Sequence, residues 1–424
     1  MTKNVPVLLT PMDEHMGLDI ARTLGKRGIP VYALDSDPKA IGKYSKYINF
    51  SPSPGLEEND GANYLQFVVD FTKKIGGKAV LYPISDEHVL LFSRERDHLR
   101  DYCIYVMPDH NTLSDLVTKD GLDNIVRKFN IPAPRTVFLH GNQNIESIAG
   151  SLDYPVILKP TESTYWHTPE ITALLRKGVI ACRAKIIKCN TQEELITSYQ
   201  MIAPIDDRLV VQEVIPGEDS RLVYISFYRD RQSNVLGIFA GRKYRTLPTG
   251  FGSASFVRSM QDPKLEVLTL KLLDDVNYQG LGGVEFKQDP RDEAYKIIEF
   301  NARFGMWDGL GEKCGVDLAY MAYCDALDIP VKPVRSYEEN VIWIDWQRDT
   351  RAAIEYMRKK ELTFPEWIRS FKGRKMWAIY SKDDWQPGVA FTFTLFGKLI
   401  ERLFKPKKKL NTARITSTMR EGLE

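Results

Sequence analysis

At 424 residues the chain has room for two or three domains, and its 43% hydrophobic and 27% charged content is that of an ordinary soluble globular protein. Basic and acidic side chains nearly cancel, 58 against 56 for a net charge of +2, and no arginine-rich stripe with interleaved aromatics occurs, which argues against a dedicated nucleic-acid binder. Five cysteines without a CxxC pair or metal-finger spacing, no basic-then-apolar leader and no apolar run of spanning length lead us to expect buried thiols in a cytoplasmic protein.

Val5 to Thr10 reads as a buried strand, followed by a loop from Pro11 to His15 and a helix with Leu18, Ala21 and Leu24 on one face. Ile29 to Leu34 reads as the next strand, so the chain opens as βαβ and implies an α/β fold with a parallel sheet. The G-x-G-x-x-G of a nicotinamide-binding domain is absent, which leaves Asp35 without the context of a ribose ligand. Ala79 to Pro83 is a further strand. It leads into Ser85-Asp86-Glu87, where Ser85 or Asp86 is expected to cap a helix and Asp86 or Glu87 could instead touch substrate. Asp115 to Phe129 reads as one helix, closed by Asn130-Ile131-Pro132-Ala133-Pro134. Tyr154 to Pro160 is a sharply bounded strand ending at Lys159. Arg208 to Val214 is another, followed by Ile215-Pro216-Gly217-Glu218-Asp219, which has the character of a connector between lobes.

Two later stretches carry more chemistry. Gly241-Arg242-Lys243-Tyr244-Arg245 precedes Thr249 to Ser255, rich in glycine and serine. That cluster could bind an acidic group while the glycines permit close backbone approach. Glu285 lies in one short strand pattern and Glu299 ends another, with the polar turn Asp289 to Glu293 between them. A hairpin sets the two glutamates on neighbouring strands, and Asn301, two residues beyond Glu299, shares its face. Two carboxylates and an amide oxygen suit Mg²⁺ held between protein and phosphates. Arg303 follows on the same side and could neutralise a phosphate or a developing oxyanion.

These pieces, in this order, resemble the ATP-grasp superfamily of carboxylate–amine ligases over roughly residues 1 to 330, and within it the ATP-dependent carboligase group that includes D-aspartate ligase. The resemblance implies a parallel α/β domain over 1–112, a two-lobed ATP-grasp domain over 113–330 hinged near 213–217, and a C-terminal extension over 331–424. It implies ATP and Mg²⁺ as cofactors, with Mn²⁺ as an alternative ion, and small-molecule carboxylate and amine substrates. Position by position, Lys119 and Lys159 resemble the nucleotide lysines. Glu213 resembles the acid at the adenine amino group, with Val214 and Ile215 as backbone hinge, and Asp219 the ribose carboxylate, with Glu218 its rival. Glu285, Glu299 and Asn301 match the metal set, and Arg303 the arginine that follows it; Arg242 is a second candidate to steady the oxyanion. The chain departs from the family where a glycine-rich lid would follow Lys159: Thr161 to Pro169 holds no glycine, and Lys177 and Lys185 are candidate substitutes for the missing amide donors. Trp166 in that stretch could roof a substrate pocket or pack in a core.

Beyond 330, Val341 to Trp346 reads as a strand, Arg351 to Lys360 as a helix and Pro365 to Ile368 as the start of another. Val389 to Phe404 is strongly apolar and runs into Lys405, Lys407, Lys408 and Lys409. A helix with such a basic end could lie on the inner face of an anionic membrane, or dock on the core with a solvated tail. A homodimer is a further expectation. The function implied is activation of a carboxylate as an acyl phosphate and its joining to an amine, with an amino acid as one substrate. The alternatives are a non-catalytic ATP-binding component of an envelope or polysaccharide assembly complex, and a ligase modifying a lipid-linked glycan precursor at the membrane.

Overall fold

Four consecutive buried residues make β1 (Val7–Thr10) the centre of a five-stranded parallel sheet. The sheet is completed by β2 (Val31–Asp35), β3 (Ile48–Pro52), β4 (Ala79–Pro83) and β5 (Cys103–Ile104), in the order β3-β2-β1-β4-β5. Strands covered on both faces need no polar alternation, which is why the central strands β1 and β4 are largely apolar, whereas the edge strand β3 alternates through Asn49 and Ser51. The computed structural model describes residues 4–12, 15–139, 144–161, 166, 182–183 and 186–404.

The second sheet, order β6-β10-β7-β9-β8, is antiparallel and joins β6 (Thr136–Leu139), β7 (Val156–Pro160), β8 (Cys182–Arg183), β9 (Ile186–Cys189) and β10 (Leu209–Glu213). Its apolar face packs on the helices Ile145–Gly150 and Gln192–Ile202, and Trp166 lies in this core at 2% exposure. Trp166 is therefore a packing residue beneath this sheet.

The third sheet has seven strands in the order β15-β14-β11-β12-β13-β16-β17. They are β11 (Leu222–Arg229), β12 (Val235–Leu247), β13 (Ser253–Met260), β14 (Gly280–Gln288), β15 (Tyr295–Asn301), β16 (Ile342–Ile344) and β17 (Lys375–Trp377). The sheet thus runs on past residue 330, with β16 antiparallel to β13 and β17 parallel to β16. Cys103, Cys189, Cys314 and Cys324 are buried free thiols.

Several local expectations are corrected. The stretch read as one helix from Asp115 is two, His110–Val117 and Lys119–Phe129, because Thr118 between them is extended (φ −84°, ψ 151°). Lys119 accordingly opens a helix. The strand read up to Trp346 stops at Ile344, where the Asp345 side chain accepts from the Arg348 amide and caps the helix Trp346–Arg358. Ser85 caps Asp86–Arg94 by accepting from the His88 amide, as expected. Asp35 accepts from the amides of Met12 and Asp37, a loop-bracing role.

Candidate active site

Between the second and third sheets lies a cleft of about 1960 Å³. It brings together Lys119, Lys159, Glu213, Val214, Ile215, Glu218, Asp219, Glu285 and Glu299, residues spread over 180 positions of sequence yet lining one space.

The hairpin is the best-defined part. Glu285 on β14 and Glu299 on β15 are direct register partners, with Gly283 opposite Asn301 in the same ladder. Directly opposite residues share a face and stand close, so the two carboxylates flank one point of the cleft wall and Asn301, buried, lies on that face behind them. On the other side of β14, Tyr224 of β11 pairs with Glu285. A Cβ on Gly283 would lie 2.1 Å from the Tyr224 hydroxyl, so glycine is required for that ring to reach the hairpin. Lys243 Nζ donates to Glu285 Oε2 at 2.5 Å. Glu299 faces the open cleft, but the protein encloses it closely. That enclosure, then the like charges of Glu285 and Asp86, hold its carboxyl above the usual range, while Arg303 and Lys243 pull it down. Among the described residues no three His, Cys, Asp or Glu side chains converge to hold a metal ion unaided. Two hard carboxylates and an amide are instead a partial shell, the kind Mg²⁺ completes with phosphate oxygens and water.

Lys159, on β7 across the cleft, donates from Nζ to Gln212 Oε1 at 2.9 Å. Burial, then the neighbouring charge of Lys119, lowers its pKa to about 8, with Glu299 opposing. Lys119 Nζ donates to the Thr161 carbonyl at 2.6 Å, which ties the helix Lys119–Phe129 to the end of β7. The two ammonium groups and the two glutamates therefore face each other across the space a polyphosphate–metal pair would fill.

At the far end, the Glu213 carboxylate accepts from the Arg135 amide at 3.1 Å and from Arg291 Nη2 at 2.5 Å. The Val214 amide donates to the Pro155 carbonyl at 3.2 Å. Asp219 is buried and its Oδ2 already accepts from Thr246 Oγ1 (2.6 Å), the Gly250 amide (3.0 Å) and the Tyr356 hydroxyl. Glu218 is exposed to the cleft, and its carboxylate accepts from Ser220 Oγ at 3.2 Å. Of the two acids named for ribose, Glu218 is the one free to meet a ligand.

Two named arginines lie outside the cleft lining. Arg242 is on the opposite face of β12 and donates to the Ser220 carbonyl at 2.8 Å, outside the cleft lining. Arg303 forms a two-pronged ion pair with Asp86, Nε to Oδ1 at 2.8 Å and Nη2 to Oδ2 at 3.2 Å, joining the end of the hairpin to the parallel domain. Lys185, Lys177 and the lid positions around them fall outside the described residues. In turn, Lys243, named from sequence only as part of the basic cluster, and Lys287, not named there, line the cleft. Lys287 is two residues from Glu285 on the same strand, a spacing that could have flagged it. Lys243 shares the face of Gly241, which pairs with Tyr224 and so aligns with Glu285.

The family profile described as carbamoyl-phosphate synthase L chain, ATP binding domain, matches residues 252–332, which include the hairpin. D-aspartate ligase of Enterococcus faecium is 25% identical over 280 residues, 64% of this chain. The match spans only 65% of that relative's length. The crystal structure of an L-amino acid ligase from Bacillus licheniformis superposes with a TM-score of 0.56 at 14% identity, covering 79% of this chain and 76% of that one. The biotin carboxylase domain dimer of a Hydrogenobacter thermophilus 2-oxoglutarate carboxylase, in complex with MgADP and bicarbonate, does so at 0.56 and 16% identity, covering 81% and 74%. At such identities the structures speak for the fold. The hairpin, the strand lysine and these likenesses together support the resemblance to the ATP-grasp superfamily.

Proposed function

We propose that the protein is an ATP-dependent ligase that activates a carboxylate as an acyl phosphate and joins it to an amine, with an amino acid as one substrate. The observation that carries this reading is the register pairing of Glu285 with Glu299 across a cleft from Lys159 and Lys119. The amino-acid substrate is supported by the sequence similarity to a D-aspartate ligase. In this reading Lys119 and Lys159 hold the ATP phosphates, the backbone around Glu213 to Ile215 meets the adenine, and Glu218 meets the ribose. Glu285, Glu299 and Asn301 would hold Mg²⁺, which when bound offsets charge on the phosphates.

The protein's part in the chemistry is positioning and charge neutralisation. A substrate carboxylate oxygen attacks the γ-phosphorus and ADP leaves. The amine then attacks the acyl carbon, loses a proton, and phosphate departs with the former carboxylate oxygen. Lys243, paired with Glu285, and Arg303, paired with Asp86 just outside the cleft lining, both act on the Glu299 carboxyl and would steady the negative oxygen of the second step. ADP release from Mg-ATP, measured across pools of amino acids and small carboxylates, tests the reading. ADP should form only when a particular acid and amine are both present, and equal ADP formation without them would reject it.

The cleft lysine sets a pH limit. Because burial lowers the Lys159 pKa to about 8, its positive charge is lost as pH rises through that value. The kcat/KM for ATP should therefore fall about tenfold per pH unit above pH ~8, following the free enzyme. Lys159→Arg keeps its charge and should abolish that inflection; an unchanged profile in the arginine variant would assign the limb to another group.

We also assign a surface contact to the last helix. Gln386–Phe404 packs Phe391 on the core and turns Val389, Phe393, Phe396 and Ile400 outward at helical spacing, with 41%, 73%, 58% and 53% exposure, in line with Trp385 just before the helix at 59%. Among the described residues no helix is long and apolar enough to cross a membrane. An apolar stripe followed in sequence by Lys405, Lys407, Lys408 and Lys409 fits the headgroup plane of an anionic bilayer. Cosedimentation with anionic vesicles should be lost in a Phe393→Ser/Phe396→Ser variant. Equal cosedimentation of both forms, or a concentration-dependent dimer that the variant abolishes, would give the stripe to another use.

A further inference from the structure

We infer that the C-terminal region is a working part of the nucleotide end of the cleft, with Tyr356 as the positioning residue that transmits it. This rests on the ligase reading above. Tyr356 belongs to the helix Trp346–Arg358, and with Lys359, Glu361 and Leu362 it lines the cleft beside the hinge. Its hydroxyl donates to Asp219 Oδ2, the same oxygen that takes Thr246 Oγ1 and the Gly250 amide. One carboxylate oxygen with three donors is a knot joining three separate pieces: the hinge turn, the end of β12, and the loop that follows it. Glu355, the preceding residue of the helix, accepts from the Thr249 amide at 3.3 Å and holds the same loop one residue earlier. Gly250 stands at φ +96°, a left-handed backbone that only glycine adopts without strain, so this loop has little freedom to compensate if released.

The helix itself is tied down independently. Asp349, fully buried, accepts from Arg245 at 2.7 and 3.0 Å, from Ser255 Oγ at 3.2 Å and from Trp367 Nε1 at 2.8 Å. Burial, and then the Asp219 charge, push the Tyr356 hydroxyl far above its usual range, so it stays a neutral donor at any working pH. The adjoining acid, Glu218, is the exposed carboxylate assigned to ribose. Fixing Asp219 fixes the backbone that aims Glu218, and the anchor comes from a helix more than a hundred residues downstream of the hinge.

The test is Tyr356→Phe in the full chain, which keeps the ring and removes only the donor. ATP and ADP binding are measured by calorimetry, and steady-state constants by ADP release. A hydrogen bond to a charged group is worth roughly tenfold or more in an equilibrium constant, so nucleotide affinity should weaken about tenfold. The kcat at saturating ATP and the KM for acid and amine should stay within about twofold of the parent, a split that general loosening of the fold would not give. Unchanged nucleotide affinity in a folded variant would overturn the inference, and so would a uniform loss in every constant. If Tyr356→Phe is not recovered folded, Glu355→Gln, which weakens the acceptor of the Thr249 amide, should weaken nucleotide binding a few-fold, and no change there would equally overturn it. A parent protein that binds no ATP would instead sink the ligase reading, so the two failures are distinguishable.

Discussion

Glu299→Gln is expected to lower kcat by about a thousandfold while leaving the protein folded and able to bind ATP. The substitution keeps size and shape and removes one negative charge from the point where β14 and β15 present their carboxylates together. Folding does not depend on that charge, because Glu299 faces the cleft and like charges around it already disfavour its ionised form. Removing it should therefore leave stability unchanged or slightly raised. Unfolding midpoints and ATP binding checked beside ADP release separate the two effects. A folded variant with parental turnover would show that the hairpin carboxylates do not serve the chemistry.

Asp349→Ala is expected to be the most destabilising single substitution, at about 3–5 kcal/mol. The carboxylate is wholly enclosed, and its loss leaves the Arg245 guanidinium buried with its ion-pair partner gone and the Trp367 and Ser255 donors unpaired. The urea midpoint measures this. Arg245→Met combined with Asp349→Leu removes both charges and should recover much of the loss, since a matched apolar pair carries no stranded ion. If the double variant is as unstable as Asp349→Ala, shape rather than charge holds the helix Trp346–Arg358 to β12.

Much of the site could be read locally because its signals are local. The Glu285–Glu299 pairing needs only two short strand patterns and a polar turn of five residues, and the β14–β15 register bears it out. The strand ending in Lys159 is bounded by prolines in the sequence itself. Arg242 was the wrong choice within its cluster because the answer lies in long-range pairing. Its face is set by β12 aligning with β11 and β11 with β14, and the register of β12 against β13 shifts at Lys243 and Arg245. No periodicity within the cluster encodes that. Asp219 and Glu218 are adjacent acids on one turn, and what tells them apart is Thr246 and Tyr356, 27 and 137 residues away. Strand β17 is three residues, too short for alternation to register, whereas the pattern over β16 reads two residues past its end. The start of the helix at Trp346 was legible, since Asp345 is a good N-cap residue, but a run of Trp343, Ile344 and Trp346 looks like strand until its partner is known.

The central claim is that a carboxylate oxygen is phosphorylated and then displaced by an amine. Turnover with the stimulating acid carrying ¹⁸O in both carboxylate oxygens measures it most directly. The expected result is one ¹⁸O in each phosphate released, with ADP as the nucleotide product. Unlabelled phosphate would mean that water attacks ATP directly, and label appearing in AMP would mean an adenylate route; either would contradict the ligase mechanism assigned to this cleft.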